Sequence, residues 1–527
     1  MTALLTGNLP LIAAAPSGVK TLRALILDLA VRGKLVPQDP NDEPASALLK
    51  RIAAEKARLV KAREIRSEKP TPRITDDEKP FELPPQWEWV RAAEICSSIT
   101  DGDHLPPPKA DDGIAFLVIG DVRDGVISPA IASRRVPESY YEALDWTRKP
   151  KVGDLLLTTV GSYGIPVPVI ISAPFCFQRH IALLRPAVRD TQGWLFAAYR
   201  SQFLFDQLTA IATGTAQKTV PLSGLRLTVI PLPPLAEQQR IVARVDELMA
   251  LCDRLEAQQA DAEAAHATLV KTLLDTLTQS QDADDFAANW QRLSQHFDTI
   301  FTTETSLDAL KQTLLQLAVM GMLVATSTWP SQPSTLGRVA TLQNGYAFKS
   351  EWFAPRGVRL LRNANVSHGV MCWDDVVYLP EQQASEFERF QLNEGDIVLS
   401  LDRPFITSGT KVARVRKLEL PCLLLQRVGR FQLNPEMILG DYLFLWINSP
   451  HFTSQIDPGR SNGVPHISSK QVEAAEIYVP PLAEQRRIVA KVDELMALCD
   501  DLKARLAESR TVQTQLATAL VERAVAA

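Results

Sequence analysis

Few groupings in this chain have the spacing that bond-making chemistry requires. The six cysteines (Cys96, Cys176, Cys252, Cys372, Cys422 and Cys499) are dispersed and form no CxxC pair. Neither a zinc site nor a disulfide framework is indicated. Gly33-Lys34 is the sole Gly-Lys dipeptide and has no phosphate-loop context. Asn434-Pro435-Glu436 lacks the second proline and the aromatic residue of a loop that grips a flipped adenine. No Gly-rich cofactor loop accompanies it, and the scattered carboxylates show no spacing that calls for a nuclease. What remains suits non-covalent recognition. Gly161-Ser162-Tyr163-Gly164 follows an apolar run. It can present backbone amides to a phosphate, or be a plain turn. Arg134-Arg135 and Arg148-Lys149 with Lys151 are basic clusters, either anion contacts or solvated faces.

The elements that must position these groups are announced by internal repetition. Residues 233–257 read PPLAEQQRIVARVDELMALCDRLEA and residues 480–504 read PPLAEQRRIVAKVDELMALCDDLKA, with 21 of 25 positions identical. In each copy two prolines end the preceding chain and an acid follows in the first helical turn. Ile241, Val245, Leu248, Cys252, Leu255, Gln259, Ala262, His266, Leu269 and Leu273 then follow steps of four and three. Ile488, Val492, Leu495, Cys499, Leu502, Leu506, Ser509, Gln513, Leu516 and Leu520 repeat those steps. Such a seam predicts two long helices of about 40 residues, each a rod of roughly 60 Å, packed on partner helices. A shorter repeat joins LRALILDLAVRGKLV at 22–36 to LKQTLLQLAVMGMLV at 310–324, each a helix closed by a glycine. Between the helices lie two strand-rich segments that share little. Their anchors are Gly153-Asp154 with Gly395-Asp396, and Gln178-Arg179 with Gln426-Arg427.

At 527 residues, with 46% hydrophobic and 22% charged residues, the chain suggests a soluble protein of three or four domains. No apolar run reaches the roughly 20 residues of a membrane span, and cytoplasmic residence is expected. The net charge of −5 is unevenly spread: residues 231–328 are strongly acidic, whereas 87–230 and 329–480 are each neutral. A local basic face is possible there, but a bulk polycation is excluded.

PPLAEQ-x-RIVA-x-VDELMALCD, placed after each of two dissimilar domains, resembles the specificity subunits of type I restriction-modification systems. So do LAV-x-G-x-LVPQDPNDEPASALL at 29–49 and DDFAANWQRLSQHFDTIFTTE at 284–304. The resemblance spans about residues 20–523. It implies an α+β fold: two mixed α/β target-recognition domains separated by long antiparallel coiled-coil-like helices in a pseudo-two-fold repeat. The segments are 1–86 (helical region and linker), 87–232 (first domain), 233–328 (central helical spacer), 329–479 (second domain) and 480–527 (C-terminal spacer). It also implies that the chain is not itself an enzyme and holds no cofactor or metal. Each domain would read half of a split site in double-stranded DNA. Two methyltransferase (modification) subunits with S-adenosylmethionine, and restriction/translocase subunits with ATP and Mg, would join it. A self-contained DNA methyltransferase or nuclease, and a coiled-coil scaffold without DNA readout, are the alternatives.

Arg, Asn and Gln suit bidentate readout of purines, whereas Lys, hydroxyls and backbone amides suit phosphates. In the first domain the candidates are Arg134, Arg135, Lys149, Lys151, Ser162, Tyr163, Arg179 and Lys218. In the second they are Asn344, Tyr346, Lys349, Arg362, Asn363, Arg403, Lys411, Arg460 and Asn462. Recurrence of Gln-Arg in both domains favours scaffold or phosphate contact over base readout for Gln178, Arg179, Gln426 and Arg427.

Overall fold

The computed structural model describes residues 11–526 except 68, 105, 123, 124, 126, 216, 282, 325–328 and 462, and leaves the side chains of 131, 283, 460, 461 and 524–526 undescribed. The chain divides into two compact units, residues 1–260 with 510–527, and residues 261–509. Five helices carry the frame: α1 (Gly18–Val31), α2 (Ala45–Lys61), α3 (Leu235–Thr278), α4 (Glu304–Val319) and α5 (Leu482–Ala526). α3 and α5 have 44 and 45 residues, and each contributes to both units.

In the first unit α1 packs on the N-terminal half of α3. Leu22, Leu25, Ile26 and Leu29 share a core with Ile241, Val245, Leu248 and Cys252, and Ala517 and Leu520 of α5 join it. Arg23 ties the same pair together through Asp253 at 2.6 Å and Glu256 at 2.8 Å. The second unit repeats this plan with the long helices exchanged. Leu307, Leu310 and Leu314 of α4 pack with Cys499 and Leu502 of α5 and with Val270, Leu274 and Leu277 of α3. Both short helices close on a glycine in the left-handed region, Gly33 (φ +69) and Gly321 (φ +77). A Cβ on Gly33 would collide with Pro84 and crowd Trp87, and one on Gly321 would collide with Trp329; the two tryptophans are the first residues of the segments that follow.

The seam departs from a strict seven-residue repeat in the same way in both long helices. Ile241, Val245, Leu248 and Cys252, and Ile488, Val492 and Cys499, are buried as expected, with Leu495 half-buried, but Leu269 and Leu516 are exposed and Val270 and Ala517 are buried instead. The cause is helical arithmetic. Twenty-eight residues at about 100° each fall roughly 80° short of eight turns, and 29 overshoot by only about 20°. An unsupercoiled helix therefore brings position 270, not 269, back over position 241. In α3 the intervening Ala- and Gln-rich stretch, residues 256–268, has no large apolar side chain to hold a tighter winding.

The two strand-rich domains, which share little sequence, have one topology. In the first, a four-stranded antiparallel sheet runs in the order 96–101, 181–186, 155–158, 166–168. In the second the order is 340–344, 428–433, 397–400, 412–414. Beside each lies a three-stranded sheet whose central strand, Ile114–Leu117 or Val358–Leu361, has one antiparallel and one parallel neighbour. A strand entering each domain pairs with the strand leaving it: Glu88–Arg91 with Val229–Leu232, and Ser334–Thr335 with Glu476–Ile477. The exit strand leads directly into α3 or α5.

Candidate nucleic-acid interface

The repeated Gly-Asp pair is a fold anchor. Gly153 and Gly395 adopt positive φ, and the aspartate that follows accepts a backbone N–H three residues upstream, at 2.8 Å in both domains. Each aspartate also binds an arginine on the adjacent strand. Asp154 takes Arg185 in a buried fork at 2.8 and 2.6 Å, and Asp396 takes Arg430 at 3.3 Å. The strand after the anchor is fully buried in both domains, so its C-terminal loop is delivered at a fixed place.

Three loops meet there, pinned by the same backbone bonds. Thr159 N–H donates to His180 and receives Val220 N–H, at 2.9 and 2.8 Å. Leu401 N–H donates to Arg427 and receives Ile467 N–H, at 2.8 and 2.9 Å. A further bond brings the loop after the strand onto the third loop, from Gly161 to Lys218 and from Arg403 to Pro465. These pairings correct the expected alignment of the Gln-Arg anchor. Ile181 faces Thr158 as Val428 faces Ser400, so Arg179-His180 corresponds to Gln426-Arg427. The sequence match was one residue out of register, and its recurrence is not a shared structural position.

The family model for the type I restriction modification DNA specificity domain matches residues 129–263 and 330–509. The specificity subunit of the Escherichia coli type I restriction enzyme EcoAI is 41% identical, with 96% of this chain and 94% of that protein covered. That of the E. coli enzyme EcoEI is 32% identical over the same shares. This chain belongs to the type I restriction enzyme specificity subunits. A chain from a structural study of complex assembly and conformational transition of the type I R-M system shares the fold of this specificity subunit. Its TM-score is 0.51 at 21% identity, covering 85% of this chain and 99% of that one. No helix among the described residues is long and apolar enough to cross a membrane.

Within the first domain of the specificity subunit, Ser162, Arg179 and Lys218 are brought together at the three-loop junction, and all are exposed. Tyr163 belongs to the wall behind them: it stacks on Phe205 with centroids 5.7 Å apart, and its hydroxyl donates to Thr209 at 3.1 Å. Burial and neighbouring Arg179 hold the His180 imidazole below its usual pKa. The basic clusters lie elsewhere. Arg134 is exposed, and Arg135 donates to Gly113 O at 3.0 Å. Lys149 donates to Glu142 O at 2.8 Å, and Lys151 lies 5.5 Å from the Trp146 ring.

In the second domain Asn344 and Lys349 are exposed, and Asn344 donates to Ser469 at 3.3 Å. Tyr346 is packed among Phe348, Phe387 and Phe390. Arg362 is tied to Asp375 at 2.7 Å. Asn363 accepts the Lys411 ammonium at 2.5 Å, and burial followed by Arg403 lowers the pKa of that lysine. Asn365 caps its turn by accepting Arg362 N–H at 3.2 Å. Asn462 and the side chain of Arg460 lie outside the described residues. Sequence reasoning did not join Asp402, Arg427 and His466, which meet at this junction. They lie on three loops spread over 65 residues, and only the shared frame shows that the loops converge.

Proposed function

We propose that this specificity subunit reads a bipartite site in double-stranded DNA, one half-site per α/β domain, and performs no covalent chemistry itself. Two methyltransferase subunits using S-adenosylmethionine dock on the repeated helices, and restriction/translocase subunits using ATP and Mg complete the cytoplasmic assembly. The observation that carries the reading is one three-loop constellation, pinned by the same backbone bonds in both domains and filled with different residues. A constant frame with variable tips is what independent readers of two unlike half-sites require. Exposed Arg134, Lys151, Ser162, Arg179 and Lys218 in the first domain, and Asn344, Lys349 and Arg403 in the second, are the contacts favoured by accessibility. Tyr346, Arg362 and Lys411 are engaged in holding their loops.

Exchanging residues 87–230 for the corresponding domain of a relative tests this, with methylated sites mapped in cells that contain the modification subunit. One half-site should change and the other stay. A swap that altered both, or methyl transfer by the purified chain alone, would overturn the reading.

A further inference from the structure

The second domain builds its junction from residues that the first domain's geometry would not suggest. At the third residue after the buried strand, in the loop bonded to the third loop, the backbone is left-handed in both domains. The first domain places Gly161 there (φ +69), where no side chain is strained, and the second places Arg403 (φ 46). Both make the same N–H bond to the third loop, to Lys218 O at 3.0 Å and Pro465 O at 2.8 Å. Arg427, on the middle loop, is also left-handed (φ 71). Only four non-glycine residues among those described have positive φ, and two of them are these arginines. A side chain forced into this region crowds its own backbone, and such strain concentrates where ligands are met.

Around Arg427 the second domain replaces Val160, His180 and Thr219 of the first with Asp402, Arg427 and His466. The His466 Nδ1–H donates to Asp402 Oδ1 at 2.7 Å, and Arg427 Nη1 donates to the same oxygen at 3.4 Å. One edge of the guanidinium is thereby fixed. Its Nε–Nη2 edge has no partner among the described residues, and the side chain is 40% exposed. A carboxylate this close offsets the positive charge, which weakens attraction to a phosphate. It leaves the direction of the remaining N–H groups intact, and two parallel donors match the O6 and N7 acceptors of guanine.

We propose that Arg427 and Arg403 are the specificity-determining pair of the second domain. Arg427 takes a guanine through its Nε–Nη2 edge, Arg403 supports contact with the same half-site, and Asp402 and His466 are positioning residues. This rests on the reading of each domain as the reader of one half-site.

The test uses the full chain in complex with its modification subunits, with methylated sites mapped for wild type, R427A, R427K, D402N and R403G. R427A should keep the first half-site and lose discrimination at one G·C pair of the second, by about tenfold to a hundredfold. D402N should relax the same pair less, and R427K should not restore it. R403G relieves backbone strain, so its Tm should be unchanged or higher while its preference for target over non-target DNA falls. Four results would overturn the proposal: an unchanged second half-site in R427A; relaxation at an A·T pair; a loss equal on all sequences with a shallower salt dependence, the mark of a phosphate contact; or a lower Tm with intact readout in R403G. If wild type itself methylates no bipartite sequence, the parent reading fails first and this one with it.

Discussion

The two units contain one nearly identical helical motif in different surroundings. In the first, Glu237 is fully buried and accepts Trp87 Nε1–H at 2.9 Å and Gln38 at 2.6 Å. Beside it Arg240 holds Asp42 at 2.5 Å. The segment that supplies Gln38 and Asp42 has no counterpart after Val324. In the second unit Glu484 therefore turns to Arg487 on its own helix at 2.9 Å. The glutamine that follows keeps its local bond in both units, although Gln485 also accepts Leu439 N–H and donates to Met437 O, both at 2.8 Å. Gln238 and Gln485 are both buried and bond the carbonyl five residues upstream, Pro233 or Pro480, at 2.9 and 2.8 Å. Identical residues keep the same role where the partner is local backbone, and change it where the partner comes from a distant segment.

The Gly-Asp anchor should show the largest contrast between the units. Asp154→Ala strands Arg185, whose side chain is 9% exposed, and should cost about 3–5 kcal/mol, as breaking a buried ion pair does. Asp396→Ala removes a longer, single and more exposed contact and should cost about 1–2 kcal/mol. Urea unfolding of the two variants checks this. Equal losses would mean that the anchors are energetically equivalent despite their geometry.

The long helices offer a second contrast, between neighbouring residues. Val270→Ala should cost about 2 kcal/mol and Leu269→Ala less than about 0.5 kcal/mol. The reverse order would restore the strict heptad seam. This is also where sequence reading reaches its limit. The existence, ends and pairing faces of the long helices follow from the PPLAEQ start and from Ile241 to Cys252, because helix period and capping are local. The slip at residue 270 depends on whether the helix supercoils, which its middle does not encode. The common topology of the two domains was legible only at Gly-Asp, where a positive φ requires glycine. Elsewhere equivalent positions hold Gly161 and Arg403, or Val160 and Asp402, and only hydrogen-bond register equates them. The junction's Asp402, Arg427 and His466 were hidden for the same reason.

Glu237 and Glu484 come next. Glu237→Ala leaves a buried indole N–H and Gln38 without their acceptor and should cost about 2 kcal/mol. Glu484→Ala loses a partly exposed helical pair and should cost less than about 1 kcal/mol. Burial pushes the Glu237 carboxyl above its usual pKa, against the pull of Trp87 and Gln38. Its protonated form is favoured by folding, so stability from this group is present at low pH and is lost as pH rises through the raised pKa. Glu237→Gln keeps an acceptor for the indole and removes the buried charge, so it should be nearly neutral at pH 7. A loss as large as that of the alanine variant would show that the charge itself is required.

The smallest expected effect belongs to the linker that only the first unit possesses. Glu78 forks onto Arg91 with both contacts at 2.7 Å and accepts Thr75 N–H at 3.0 Å. Arg91 is 5% exposed and also donates to Leu227 O at 2.7 Å. The arginine and the backbone N–H hold the Glu78 carboxyl down at about 2. A lowered acid favours the folded state while ionised, so its contribution is complete above about pH 4.5 and is lost as pH falls towards 2. A third of the Glu78 side chain is exposed, and solvent screening limits the pair to about 1 kcal/mol. Glu78→Gln should therefore be less stable than wild type by about that amount at pH 7, with the difference narrowing steadily below pH 4.5. Unfolding midpoints of the pair across this range measure it. A gap that stayed constant with pH would mean that the linker is held by packing around Arg91 rather than by charge.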